Sequence, residues 1–534
     1  MAFVPLKNIM IYFDLNYRLG GGTRHNADYF TAEDVLRQMD YLDIDRALVW
    51  SSDARDWNAV TGNRELLQKI AQYRERLFPC FVITPRDYYE KGTIDFYRSM
   101  MAAGEVRALR ICPKSDRSPI YECRHVLREL QEFRPIVQID TRELDVSDYA
   151  TLETMANSLP DVRFVLGQKV WCDLEAVFNL MKSCGNVYLD TSWLHVRGTY
   201  EMVAEHFGVS RLLFATGHKA QNGAAICALA HANLNDDEKE AIAHKNAERL
   251  LDIAPLDRKL APQLSLDEKP LWRALSMGGR LEGVEVIDAH VHQAEPASSY
   301  VMPASDVNAA IPNIVKTMDK FGIARSIMMG NRALYADCLD GNREAHEQAK
   351  PYRERICGYW VFNPWQVADI SDDVLDEEFV DGYYVGFKIL PSYWGLRHDD
   401  AKFTRLWEYA DKHCLPILIH TWNDCEPLRN VVPKYPDAIF VIAHCGGTWG
   451  RSEAVAIARE FPNVYLETCG TFCEESPLCD AIKDLGAERF VFGTDAAYHN
   501  IAYEMGAFLS MPLPDETLKP ILGENLKNIL KKRK

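Results

Sequence analysis

No run of apolar residues in this 534-residue chain reaches the roughly 18 that a helix needs to cross a bilayer. The start, MAFVPLKNIMIYFDLNYRLG, lacks the basic head, apolar core and small-residue cleavage site of a secretory signal. Positive charge is scarce: 60 Lys and Arg stand against 77 Asp and Glu, a formal net charge of −17, and beyond the terminal LKKRK there is no basic patch. Nucleic acid and anionic membrane, which both need a cationic face, are therefore not expected as partners. The 14 cysteines have no framework spacing. Cys469, Cys473 and Cys479 cluster, but at loose intervals and without an evident fourth ligand, so they read as free thiols. These absences predict a cytoplasmic chain in a reducing compartment.

The length exceeds what one core usually carries, so two domains are expected, and the chain states the division itself by repeating its own text. YRERLFPCFVITP from Tyr73 resembles YRERICGYWVFNP from Tyr352, and MDYLDIDRALV from Met39 resembles MDKFGIARSIM from Met318. ALRICP parallels GFKILP, RFVLGQ parallels IFVIAH, NVYLDT parallels NVYLET, RLLFATG parallels RFVFGTD, and KNAERLL parallels ENLKNIL. A register this steady over seven segments marks a tandem duplication. The proline-containing, charged stretch Ala254 to Pro270 suits a connection. The expected organisation is a first domain over 1–258, a linker over 259–279 and a second domain over 280–534.

Within each copy, short β-branched runs such as PILIH, AIFVIAH, NVYLE and RFVFG alternate with helical patterns. That alternation implies parallel strands with helical crossovers. About eight such units in about 250 residues predict an α/β chain of two tandem (β/α)8 barrels, with chemistry at the C-terminal strand ends. In the second copy the polar strand ends are His290 and His292, Lys388, His420, His444 and Asp495. His290 and His292 are two apart in VIDAHVHQ, so a strand presents both on one face, as two nitrogens for one metal ion.

The motifs DAHVH, LIHTW, IAHCGG and FGTDA, with the closing ENLKNIL, resemble the amidohydrolase superfamily over essentially all of 280–534. The likeness is to its amidohydrolase-2-like branch, which includes aminocarboxymuconate-semialdehyde decarboxylase and related lactonases. The resemblance implies one divalent ion per chain, Zn²⁺ or alternatively Mn²⁺, held by His290, His292, His420 and Asp495. It implies His444 as general acid/base, with Asp495 doubling as a proton acceptor. For Lys388 two readings stay open: contact with an anionic substrate group, or carbamylation bridging two metals, which would recruit His444 as a ligand. Glu467 reads as support behind the site or as a partner of Lys388. Trp360, Trp365, Tyr393, Trp394, Arg397 and His398 lie around these positions. Trp360, Trp394 and Lys388 are expected to contact substrate, with Arg397 holding a carboxylate.

The first copy keeps Asp14 opposite Asp288 but replaces the ligands. Asn16 and Arg18 stand for the histidines, Asp140 (or Gln138, one register step away) for His420, Gln168 for His444 and Gly217 for Asp495. Arg18 and Arg110 are expected to pair with Asp140 and Asp190, ion pairs replacing metal ligation; His218 is the remaining polar group there. This copy is expected to dock on the second as a second subunit does in dimeric relatives, and a homodimer of whole chains is compatible with it. The function expected is metal-dependent hydrolysis of a small carboxylated or cyclic ester, lactone or amide. Non-oxidative decarboxylation of an aromatic or enoic acid is the alternative, and an inert binding or scaffold role the third.

Overall fold

The computed structural model describes residues 10–21, 30–167, 174–217, 223–262, 268–293, 310–421, 424–470 and 475–534. The chain forms two compact units, Met1–Leu194 with Gly198–Leu266, and His195–Arg197 with Asp267–Lys534. The first carries eight parallel strands in sequential order: β1 Phe13–Leu19, β2 Arg46–Ser51, β3 Leu77–Val82, β4 Ala108–Ile111, β5 Ile136–Asp140, β6 Arg163–Gly167, β7 Val187–Asp190 and β8 Leu212–Leu213. The second repeats this with β9 Val286–Gln293, β10 Ile323–Gly330, β11 Ile356–Val361, β12 Tyr384–Ile389, β13 Pro416–Ile419, β14 Ile439–Ile442, β15 Val464–Glu467 and β16 Phe490–Val491. Each unit is a (β/α)8 barrel. Among the described residues no helix is long and apolar enough to cross a membrane.

The strands read as continuous apolar runs because helices cover their outer face while their inner face fills the barrel. PILI of β13 and IFVI of β14 are buried throughout. The intervening helices bury one stripe: Thr404–His413 turns Leu406, Trp407, Tyr409 and Ala410 inward and stops where Cys414 takes φ 52°.

Both barrels close by the same devices. Leu15 N donates to Phe214 O in the first and Ala289 N to Phe492 O in the second. A buried aspartate on the first strand clasps a threonine after the last: Asp14 Oδ2 accepts from Thr216 Oγ1 and Asp288 Oδ2 from Thr494 Oγ1, each at 2.5 Å. The repeated asparagine of the final helix also has one task. Asn246 Nδ2 donates to Val209 O and Leu212 O, and Asn525 Nδ2 to Ala487 O and Phe490 O. A widened π turn precedes it in each copy, over Ala241–Lys245 and Pro520–Glu524. The stretch expected as a linker is bonded at both ends. Lys259 Nζ donates to Asp45 Oδ2, whereas helix Pro270–Ser276 starts on Asp515 Oδ2, which accepts from Leu271 N.

Candidate metal centre

β9 is buried along its whole length, and its alternation sets His290 and His292 side by side, ring centroids 5.4 Å apart. Each ring is gripped at Nδ1 by an acceptor from elsewhere in the barrel. His290 Nδ1 lies 3.1 Å from Glu467 Oε2, and His292 Nδ1 lies 2.9 Å from Asn331 Oδ1. An amide oxygen only accepts, so the proton of His292 sits on Nδ1 and its Nε2 lone pair points outward. That lone pair faces Asp495 Oδ1 at 3.0 Å, and His290 Nε2 faces the same oxygen at 3.6 Å. Asp495 Oδ1 is buried and, among the described residues, receives no hydrogen bond.

Burial opposes ionisation of Asp495, but its neighbours, the charge of His499 among them, hold its carboxyl well below the usual range. Burial holds His290 and His420 well below the ordinary imidazole value and lowers His444 to about 4. The rings are therefore neutral, the form that binds a metal. Two imidazole nitrogens converging on one buried carboxylate oxygen is an arrangement that a cation suits. Separations of 3.0 and 3.6 Å are those of ligands each about 2.1 Å from one centre. The residues fit a divalent ion.

His290, His292 and Asp495 are thus brought together, their ligand atoms within 4.8 Å of one another. His420 is not in that group and joins it through His444. The carbonyl of Cys469 accepts from His444 Nδ1 at 3.2 Å, which leaves the His444 lone pair on Nε2, 3.2 Å from His420 Nδ1. His420 donates there and keeps its own lone pair on Nε2. Lys388 is fully buried, burial lowers it to about 8, and its Nζ stands 3.1 Å from His290 Nε2. Glu467 meets His290 rather than Lys388. Burial pushes Glu467 up to about 8; a cation at the far nitrogen of His290 favours its ionised, accepting form. His444 and Asp495 both adopt the left-handed backbone region, at φ 56° and 55°, conformations that cluster at functional sites.

Two expectations are corrected. Trp360 is paired in register with Phe387, the residue before Lys388, so strand alternation turns it to the opposite face, against Phe362 and Phe387. Arg397 is exposed and bonds Asp399 two residues on, which takes its charge. The other loop aromatics divide. Trp394 Nε1 donates to Leu334 O and exposed Trp365 donates to Trp394 O, whereas Tyr393 sets its ring 5.1 Å from that of His420. His398 is buried, which lowers it to about 4.

Several residues at the centre escaped the sequence reading. Asn331 fixes His292. Tyr498 packs its ring 4.9 Å from that of His292, and Tyr335 hydrogen-bonds Tyr498 and packs 6.4 Å from Tyr393. His499 sits behind Asp495, Nε2 to Oδ2 3.8 Å, with its Nδ1 3.0 Å from Glu504 Oε1. Cys469 places Sγ 3.4 Å from His290 Nδ1 and 3.5 Å from His444 Nδ1. The spacing DAAYH after Asp495 was the one available signal for Tyr498 and His499. Cys469 and Cys479 are free and buried; Cys473 lies outside the described residues.

The first barrel shows what replaces the ligands. Strand register puts Gln138 beside Arg110 as Leu418 is beside Lys388, so Asp140, not Gln138, is the counterpart of His420. Arg110 reaches Asp140 only at 4.0 Å and bonds Asn16 Oδ1 at 3.2 Å, while Arg142 holds Asp140 at 2.7 Å. Asp190 corrects the expected pairing: it accepts from Ser192 N and Oγ instead of an arginine. Arg18 lies over the Phe30 ring. Gln168 and His218 lie outside the described residues.

Burial raises Asp190 to about 7. The unfolded chain then loses this proton before the folded one, so stability falls as pH rises from near 4 to 7, and the full cost is present above 7. Asp190→Asn removes that titration. Denaturant unfolding should show the variant gaining on wild type by up to about 3 kcal/mol between pH 5 and pH 8.

The sequence profile of the amidohydrolase family matches residues 11–253 and again 287–527. The chain belongs to the amidohydrolase family, represented twice in tandem. No curated protein matches it. Among solved structures it is similar to 2,6-dihydroxybenzoate decarboxylase from Rhizobium, with 18% identity over 46% of this chain and 99% of that one, TM-score 0.38. It is similar to a dihydroxybenzoic acid decarboxylase from Polaromonas with bound manganese and 2-nitroresorcinol, with 21% identity over 46% and 97%, TM-score 0.38. It is also similar to a probable 2-pyrone-4,6-dicarboxylic acid hydrolase from Acinetobacter baumannii, with 15% identity over 47% and 99%, TM-score 0.37.

Proposed function

We propose that the second barrel is a metal-dependent hydrolase acting on a small carboxylated or cyclic ester, lactone or amide, with the first barrel metal-free. The observation that carries this is the convergence of the Nε2 atoms of His290 and His292 on Asp495 Oδ1. His290, His292 and Asp495 would hold the ion, with His420 offering Nε2 as a fourth donor; nitrogen donors with one carboxylate suit Zn²⁺, with Mn²⁺ as the alternative. When bound, such an ion supplies Lewis acidity and lowers the pKa of a water. His444 is neutral, Cys469 O fixes its ring at Nδ1, and its Nε2 would take the proton in exchange for the hydrogen bond it accepts from His420 Nδ1. Lys388 supplies positive charge for an anionic substrate group.

A second reading is favoured by one specific observation. Tyr335, Tyr393 and Tyr498 form a linked set of rings against His292 and His420, walls suited to a planar aromatic acid. Such an acid would be decarboxylated by the same residues. The purified chain should be assayed on a panel of lactones, esters and hydroxybenzoates, with acid release and CO₂ followed separately. Acid release supports the hydrolase, CO₂ the second reading. A chain that contains no Zn or Mn as purified and takes up neither would defeat both.

A further inference from the structure

Glu467 ends β15 with no exposure, and its carboxylate gathers donors from three parts of the barrel. Oε2 receives His290 Nδ1 at 3.1 Å from β9 and His444 N at 3.2 Å from the turn after β14. Cys469 N donates to Oε1 at 2.5 Å, and Cys469 Sγ to Oε2 at 3.1 Å. Space for this is left by Gly493, beyond β16, where an added Cβ would stand 2.3 Å from Glu467 Oε1 and 2.9 Å from His290 Cβ. One acid therefore fixes the tautomer of a ring facing Asp495 and the backbone of His444.

The first barrel acts as an internal control. Its counterpart of Glu467 is Asp190, one methylene shorter, and its counterpart of His290 is Asn16. Asp190 spends its carboxylate on Ser192 of its own loop. That barrel closes with the same aspartate–threonine clasp as the second. Reaching across to the first strand is thus not required to build the fold; it accompanies the histidine.

Resting on the metal-site reading above, we propose that Glu467 is a positioning residue. By accepting the Nδ1 proton of His290 it aims Nε2 at the ion and strengthens its binding, a carboxylate–histidine–metal relay. Glu467→Gln keeps the size but puts a donor among donors. Its Co²⁺ dissociation constant, measured by chelator competition, should rise about 10- to 100-fold, with a changed visible spectrum of bound Co²⁺. The metal-free variant should keep its fold and melt somewhat below wild type, because a buried donor now faces donors. In a His290→Ala background the same substitution should add nothing to the loss of affinity. Unchanged affinity and spectrum in Glu467→Gln, or an equal further loss in His290→Ala, overturns the proposal. Should the variant not fold, cobalt-loaded wild type gives the answer by proton NMR. A paramagnetically shifted, slowly exchanging Nδ1–H of His290 is expected, and ligation through Nδ1 overturns it. Wild type that takes up no cobalt overturns the metal reading as well, whereas equal uptake by wild type and variant overturns this proposal alone.

Discussion

Asp495→Asn should abolish stoichiometric metal and lower turnover by on the order of 10³-fold or more. Asparagine is the suitable replacement because Asp495 sits at φ 55°, a region that asparagine tolerates better than other non-glycine residues. The backbone should persist while the negative charge goes. Asp495 is the single carboxylate of a group that otherwise consists of imidazoles beside Lys388. Without it, a divalent cation would meet Lys388 and the rings with no compensating charge at the point where they converge. Metal analysis of the dialysed protein, alongside the acid-release and CO₂ assays, checks this. Retention of one tightly held ion in Asp495→Asn would remove the carboxylate from the ligand set.

His444→Asn should behave differently. The residue again has a left-handed backbone, at φ 56°. The substitution deletes the Nε2 lone pair and the Nδ1–H bond to Cys469 O. Loss of a general acid/base should lower kcat by about 10²- to 10⁴-fold with metal content near wild type. Metal analysis makes the result decisive. A variant that loses its ion with its activity would show His444 as a ligand, the arrangement expected if Lys388 were carbamylated between two metals.

Much of this was legible in the sequence because parallel barrels place polar residues at the ends of apolar runs. The register of the repeats and the strand-end positions of His290, His292, His444 and Asp495 follow from that rule alone. What stayed hidden depends on the third dimension. Asn331 opens a helix after β10, and nothing local marks it as the partner of a ring 39 residues earlier. Tyr335, Tyr498 and His499 lie beyond strand ends, where no periodicity constrains a side chain. Trp360 was misread because its face is set by register with β12, and Arg397 because its nearest carboxylate, Asp399, was already in its own loop. In the first barrel, charge counting paired arginine with aspartate, but Asp190 is one methylene short and is satisfied locally by Ser192.

The clasp between the first-strand aspartate and the last threonine ties the ends of each barrel together by hydrogen bonds of the chain itself. Asp14 and Asp288 make the same bond, though only the second faces a ligand cluster. Burial raises Asp14 to about 6 and Asp288 to about 7, and the hydroxyl and backbone donors around each carboxyl offset part of that cost. Ring closure is thereby secured by hydrogen bonds within the chain. Assembly would then not wait on the proposed metal. The ion proposed for the second barrel would then enter a finished fold, and the free concentrations around it and the Irving–Williams order would decide which ion that is.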